Sequence, residues 1–353
     1  MARPEFVADP EGAPPSPASP SSVRRIALHA DDLGMNPAVT DGILQGFEQG
    51  LLTSTSLLSY APDAARALDC WRQLESRRQQ GSLASTARRR RLQDPAQPFD
   101  LGIHLNLTQG RPLTTARYPA VLLDAGGRFP GIFGLFRRLR GHHGPMVAVG
   151  SDTVATAIEE ELTCQVQFML DRGHRPTHLN GHQYIELLPV VGRIVESLLE
   201  KFRIPVVRVA WERSWRQSFT WPGISTSQWL IGGLKKFYAG RFRRQMLGNK
   251  VLVADAFFGT MTAGTTSLET LRAFLAAMRD FQLAEIGLHP GAKPAGTIYR
   301  RPDWSAARTA DGWHDPLAEL RPHELEMVVS VELDELLAAR GCRLGRLNRS
   351  DMR

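Results

Sequence analysis

From Ile26 onward the chain alternates short apolar runs with stretches of helical periodicity, and that alternation constrains the fold more than any other feature. Strands that follow one another across helices pair in parallel, so the expected class is α/β, with a parallel sheet either open or closed into a barrel. The first unit sets the pattern. Ile26-Ala-Leu-His29 reads as a buried strand; Asn36 caps a helix, Pro37 suits its first position, and Gly50 ends it. Between them Val39, Ile43 and Phe47 recur every four residues as one apolar stripe. Leu51 to Ser59 reads as the next strand, completing a βαβ unit with Asp31 and Asp32 where its first strand ends.

The rest of the chain continues in kind. Strands are expected at Leu101 to Leu107, Thr177 to Asn180, Pro205 to Val209 and Ala284 to Leu288. Helices are expected after Asp152, near Leu188 to Lys201, at Ser267 to Asp280 and, closing the chain, at Glu324 to Arg340. Residues 1–22, rich in Pro, Ser and Ala, read as a disordered tail, leaving 23–353 as a single domain. Within it residues 76–98, polar and including Arg88-Arg-Arg-Arg91, read as a surface insertion.

The net charge of +7 would suit an acidic partner, but the excess sits in local runs such as Arg88 to Arg91 and Arg241 to Arg244. No nucleic-acid partner is expected from it. Cys70, Cys164 and Cys342 are odd in number and far apart, which gives no disulfide framework and suits a reducing compartment. No signal-peptide core and no apolar run of about 18 residues is present, so a cytoplasmic location is expected.

In parallel α/β folds, sites gather at the C-terminal ends of strands. Four such ends carry ligand-type side chains: Asp31-Asp32, His104, the His178/His182 segment and His289. One carboxylate and two imidazoles match a cation that keeps open positions. Each element alone has a plainer reading. Adjacent aspartates make turns, and a lone strand histidine such as His104 is usually a satisfied core residue. His178 and His182 would pair on a helix, but Asn180-Gly181 breaks one, so His182 is taken as the ligand. No G-x-S-x-G motif is present and no cysteine falls at a strand end, which points away from a covalent intermediate. Two basic-aromatic stretches, Phe133 to Arg140 and Trp229 to Arg244, read as surface helices packed on the domain. The sharper alternative is an interfacial surface that makes peripheral contact with anionic lipid.

Taken together, these segments resemble the YdjC-like carbohydrate deacetylase family. His29-Ala-Asp-Asp-Leu-Gly-Met-Asn36 looks like its ADDFG signature, followed by Gly50-Leu-Leu-Thr-Ser-Thr-Ser56. Gly102-Ile-His-Leu-Asn-Leu-Thr108 with Gly110-Arg-Pro112, then Pro176-Thr-His-Leu-Asn-Gly-His182, are similar to its second and third blocks. Asp255-Ala-Phe-Phe-Gly259 and Leu288-His-Pro-Gly291 fill the later positions, and the match runs from about Arg25 to Leu344. The resemblance implies a (β/α) barrel-like fold that hydrolyses the N-acetyl group of an amino sugar in an oligosaccharide or glycolipid. It places one divalent cation, magnesium or zinc, on Asp32, His104 and His182, with Asp31 as base and His289 as the acid for the departing amine. His178, Asn180, Arg111 and Phe258 then fall at the substrate. Two departures stand out: Gln183-Tyr184-Ile185-Glu186 replaces further histidines, and Ala256 stands where the later block carries a histidine.

Two rivals are weighed. A glycosidase needs two carboxylates flanking the bond, and adjacent strand residues such as Asp31 and Asp32 are expected to point to opposite sides. A non-catalytic carbohydrate- or metal-binding protein would have no use for the spare carboxylate of Asp31.

Overall fold

The structure is a computed structural model that describes residues 24–93, 97–141, 151–212, 226–249, 251–277, 281–293 and 311–348. The tail expected at 1–22 lies outside the described residues. In chain order the first half runs β1 (Arg24–Leu33), α1 (Pro37–Glu48), β2 (Ser54–Leu57), α2 (Ala64–Gln79), α3 (Thr86–Arg89), β3 (Asp100–Leu105), α4 (Gly131–Gly141) and α5 (Ser151–Leu170). The second half runs β4 (His178–Gly181), α6 (Pro189–Phe202), β5 (Val206–Val207), α7 (Thr226–Gly248), β6 (Ala256–Phe258), α8 (Leu268–Ala277), β7 (Leu283–Leu288), α9 (Arg321–Val329), α10 (Val331–Ala339) and β8 (Cys342–Leu344).

All strand pairs among the described residues are parallel, in the order β5-β4-β3-β2-β1-β7-β6. β1 sits in the middle because it is long and apolar enough to be covered on both faces. It pairs with β7 along Arg25 to Ala30 on one edge, and with β8 and then β2 on the other. The sheet curls into a half-barrel, and a lone parallel bridge between Val206 and Leu252 draws its outer edges together. This is the barrel-like α/β fold expected from the alternation. Among the described residues no helix is long and apolar enough to cross a membrane.

Two local expectations change. The closing helix is two helices, α9 and α10, because Ser330 turns extended (ψ 149°) and its hydroxyl caps α10 by accepting from the Leu333 N–H at 3.3 Å. The Arg-rich stretch taken as a surface insertion is built into the domain. Leu83, Arg89, Leu92 and Gln93 are all buried there. The Arg89 guanidinium donates to the carbonyls of Phe47, Gly50 and Leu52 at 3.1, 2.8 and 2.8 Å. Those carbonyls lie at the end of α1 and just beyond it, where a helix leaves acceptors unmatched and a cation is favoured. Counting charge without tertiary partners hid this role.

One close approach bears directly on the site. A Cβ at Gly42 would lie 2.3 Å from the backbone N of Ala292, and that N–H donates to the Ala38 carbonyl at 2.8 Å. Glycine on α1 therefore lets the segment after β7, which carries His289, lie flat on the helix.

Candidate active site

Side chains normally alternate across a strand, so Asp31 and Asp32 are expected on opposite faces. They are not. The register between β1 and β2 shifts between Ala30 and Leu33, and Asp32 adopts a left-handed backbone with φ 71°. Aspartate tolerates that region better than most residues, at a cost of about 1–3 kcal/mol. The kink brings both carboxylates into one cavity of about 510 Å³, which His104, His182 and His289 also line.

Around Asp32 three atoms face a common point. His182 Nδ1 lies 3.0 Å from Asp32 Oδ1, His104 Nε2 lies 3.4 Å from it, and the two ring nitrogens are 3.3 Å apart. Asp32 Oδ1 is buried with no hydrogen-bond partner, while Oδ2 accepts from Arg321 Nη2 at 2.7 Å. An orphaned carboxylate oxygen beside two imidazole nitrogens, with edges near 3 Å, fits one face of a coordination sphere whose bonds are about 2.0–2.2 Å. His104 is oriented for it: Nδ1 lies 2.9 Å from Asn180 Oδ1, so Nδ1 carries the proton and Nε2 presents its lone pair. His182 is aimed by a tight turn in which Gln183 (φ 55°) and Tyr184 (φ 62°) are both left-handed. The chain break expected at Asn180-Gly181 thus falls two residues later, since those two belong to β4.

Asp31 is held from several sides. Arg208 Nη1 donates to its Oδ1 and Oδ2 at 2.9 and 2.6 Å, Asn180 Nδ2 donates to Oδ1 at 2.8 Å, and His29 Nε2 lies 3.1 Å from Oδ1. Burial opposes its charge, but the Arg208 guanidinium beside it works the other way and the carboxyl is held well below its usual range. Burial likewise opposes the charge on Asp32, and Arg321 with His182 holds it low. Both aspartates are therefore held in the ionised form. Burial, helped by Arg208, pushes His29 down to about 4, so it stays neutral. His289 brings Nε2 within 3.8 Å of Asp31 Oδ2, and Glu324 anchors its backbone N–H.

The substrate positions expected from sequence are placed unevenly. Asn180 is buried and joins Asp31 to His104, a positioning part rather than a cavity wall. His178 is fully buried beneath the site, its ring edge-on to His29 at 4.9 Å. Phe258 is fully buried against Phe274. Arg111 is exposed and donates to the Gly126 carbonyl at 2.8 Å. None of the four lines the cavity. For His178, Asn180 and Phe258 burial on covered strands explains this, whereas Arg111 is an exposed residue beyond β3.

Sequence reasoning passed over the two guanidinium clamps. Arg208 also donates to buried Glu285 at 2.6 Å, and Arg321 also pairs with Asp315 at 2.9 Å. Arg208 lies within the strand expected at Pro205 to Val209, and a search for strand-end ligands that admitted cations would have found it. Arg321 opens a helix, and nothing local marks it.

Glu186, four residues after His182, is buried with both carboxylate oxygens unpartnered. Burial pushes its pKa up to about 7. The folded protein then keeps this proton between about pH 4.5 and 7 while the unfolded chain releases it, so stability falls as pH rises through that window. Glu186→Gln should remove that slope and raise stability at pH 8 by up to about 3 kcal/mol. Denaturant melts at pH 5 and pH 8 check it; parallel pH dependence in wild type and variant would contradict the burial argument.

Fold and site together define a parallel half-barrel with a candidate Asp-His-His metal centre and a second carboxylate at its strand ends. The model of the YdjC-like protein family matches residues 25–339, and the chain belongs to that family. A mouse protein named carbohydrate deacetylase is 28% identical over 338 residues, covering 91% of this chain and 93% of that one. The human carbohydrate deacetylase is 28% identical over 345 residues, covering 93% and 91%. One from Geobacillus stearothermophilus is 31% identical over 183 residues, covering 52% and 59%. A crystal structure from Enterococcus faecalis, described as a candidate cellobiose-phosphate cleavage protein, superposes with a TM-score of 0.63 at 20% identity, covering 92% of this chain and 98% of that one. At that identity the likeness concerns the fold alone.

Proposed function

We propose that this protein is a metal-dependent deacetylase that hydrolyses the N-acetyl group of an amino sugar, releasing acetate and a free amine. The observation that carries the reading is the unpartnered Oδ1 of Asp32 facing His104 Nε2 and His182 Nδ1, beside the separately held carboxylate of Asp31. The naming of the long-aligned relatives as carbohydrate deacetylases supports the substrate class.

Asp32, His104 and His182 would hold one divalent cation; two imidazoles and one carboxylate suit zinc or another transition ion, and the family resemblance also admits magnesium. Bound there, the cation supplies Lewis acidity toward the amide carbonyl and acidity to the attacking water. Asp31, ionised in the resting site and not needed as a ligand, accepts the proton of that water. Asn180 keeps Asp31 and His104 in register, and Arg208 keeps Asp31 ionised until it takes that proton. His289, lining the same cavity, hands a proton to the departing amine. Glycoside cleavage is the poorer reading even though both aspartates share a mouth. It needs one carboxyl that keeps its proton, and Arg208 and Arg321 hold both ionised.

The test is acetate release from a panel of N-acetylated sugars by metal-stripped protein, before and after adding back zinc or magnesium. Stripping should remove turnover and one metal per chain should restore it. His104→Ala should lower metal affinity at least about tenfold. Turnover that survives complete stripping would remove the metal from the reaction.

A further inference from the structure

The two histidines of the candidate metal centre each meet a side-chain amide. His104 Nδ1 lies 2.9 Å from Asn180 Oδ1, and His182 Nε2 lies 3.2 Å from Gln109 Nε2. His289 has no such tether among the described residues. Its Nδ1 is buried without a hydrogen-bond partner, and its Nε2 lies 3.8 Å from Asp31 Oδ2, too far for a hydrogen bond. The outer torsion of a histidine is broad, so a ring that makes no hydrogen bond takes its aim from the main chain that carries it.

That main chain is gripped on both sides by one turn of α9. Glu324 Oε2 accepts from the His289 N–H, and Arg321 Nη1 donates to the His289 carbonyl at 3.4 Å. The Gly291 N–H donates to the Arg321 carbonyl at 3.3 Å, and a Cβ at Gly291 would lie 2.9 Å from the Arg321 side chain, so glycine lets the two segments close up. Arg321 already serves Asp32 and Asp315. Glu324 is fully buried, and its Oε1 accepts from the Thr266 N–H at 3.0 Å, in the loop after β6 whose Thr260 and Ala263 line the cavity. Burial works against its charge and pushes the carboxyl up. A hydroxyl would satisfy one backbone N–H at a lower desolvation cost; fixing two, from separate segments, takes the two acceptor oxygens of a carboxylate.

We propose that Glu324 is a positioning residue for protonation of the departing amine: it locks the main chain of His289 to the loop after β6 and so aims the imidazole at the leaving nitrogen beside Asp31. In the step it serves, the C–N bond breaks with its electron pair going to nitrogen, and the proton on His289 Nε2 moves to that nitrogen, leaving His289 neutral. The role rests on the deacetylase reading with His289 as its acid, and adds the group through which that acid is held.

The experiment is a double-mutant cycle on acetate release by the metal-loaded protein, using Glu324→Gln, His289→Gln and the two together. The carboxamide keeps the size of the side chain but turns an N–H toward one of the two backbone donors. Glu324→Gln should lower kcat roughly 10–100-fold with KM and metal content little changed. His289→Gln should lower kcat by about 10²-fold or more. The double variant should match His289→Gln within about threefold, because Glu324 acts only through that ring. Nitrogen-15 histidine spectra give a readout that a role in stability alone would not move. With the His289 signals assigned by their loss in His289→Gln, Glu324→Gln should shift them and leave those of His104 and His182 in place. If Glu324→Gln does not fold, Glu324→Asp carries the same cycle, since it keeps the charge and withdraws the carboxylate by one methylene. Losses that multiply in the double variant, or His289 signals identical to wild type, would overturn the proposal and leave the deacetylase reading standing. No acetate from any N-acetylated sugar with the wild-type protein would sink the deacetylase reading, while shifted His289 signals would still establish Glu324 as the group that aims the ring.

Discussion

Asp31→Asn is expected to lower acetate release by roughly 10²–10⁴-fold while the protein still binds one metal per chain. The substitution keeps the size of the side chain and an acceptor oxygen for Arg208, but it removes the charge that takes the proton. Asp32, His104 and His182 are untouched, so metal content measured by emission spectrometry should be unchanged. Asp32→Asn is the informative contrast. There the orphaned Oδ1 loses charge, so metal affinity and turnover should fall together. Turnover of Asp31→Asn within threefold of wild type would sink the base assignment; loss of metal by Asp31→Asn would make Asp31 a ligand instead.

The second large effect is on stability. Arg208 is almost fully buried and lies between two buried carboxylates, Asp31 at 2.6 Å and Glu285 at 2.6 Å. Arg208→Met leaves both without a cation, and breaking a buried ion pair from one side costs about 3–5 kcal/mol. For a domain of this size that corresponds to a fall in melting temperature of roughly 10 °C. Adding Glu285→Gln should recover part of the loss, because one stranded charge is gone. Arg208→Lys should recover less than its charge suggests, since an ammonium cannot bridge two carboxylates with a planar fork. Scanning calorimetry of the four proteins decides it. A drop of less than about 2 °C for Arg208→Met would show that the neighbouring carboxylates find other partners.

The site was partly legible before folding. Asp31, Asp32, His104, His182 and His289 could be picked out because strand-helix alternation predicts where strands end, and parallel topology brings those ends together. His178 and Phe258 were misplaced for the converse reason. The alternation says that a residue lies on a strand, but not whether its side chain points to the mouth or into the core. Arg88 and Arg89 read as solvated charge, yet the second is buried and caps the end of α1. Charge in a sequence carries no record of which carbonyls will surround it.

What the amino-acid order determined by itself was periodic and local: the α/β class, the parallel sheet, and the set of side chains delivered to its C-terminal edge. Hydrophobic spacing, caps and turn residues act within a few positions, so they can be read from neighbours alone. Only the tertiary structure decided that two adjacent aspartates share one cavity, through the left-handed backbone at Asp32. It alone also assigned their charges, through arginines 177 and 289 residues away. Those outcomes depend on long-range desolvation and pairing, whose energies exist only once distant segments have excluded water between them.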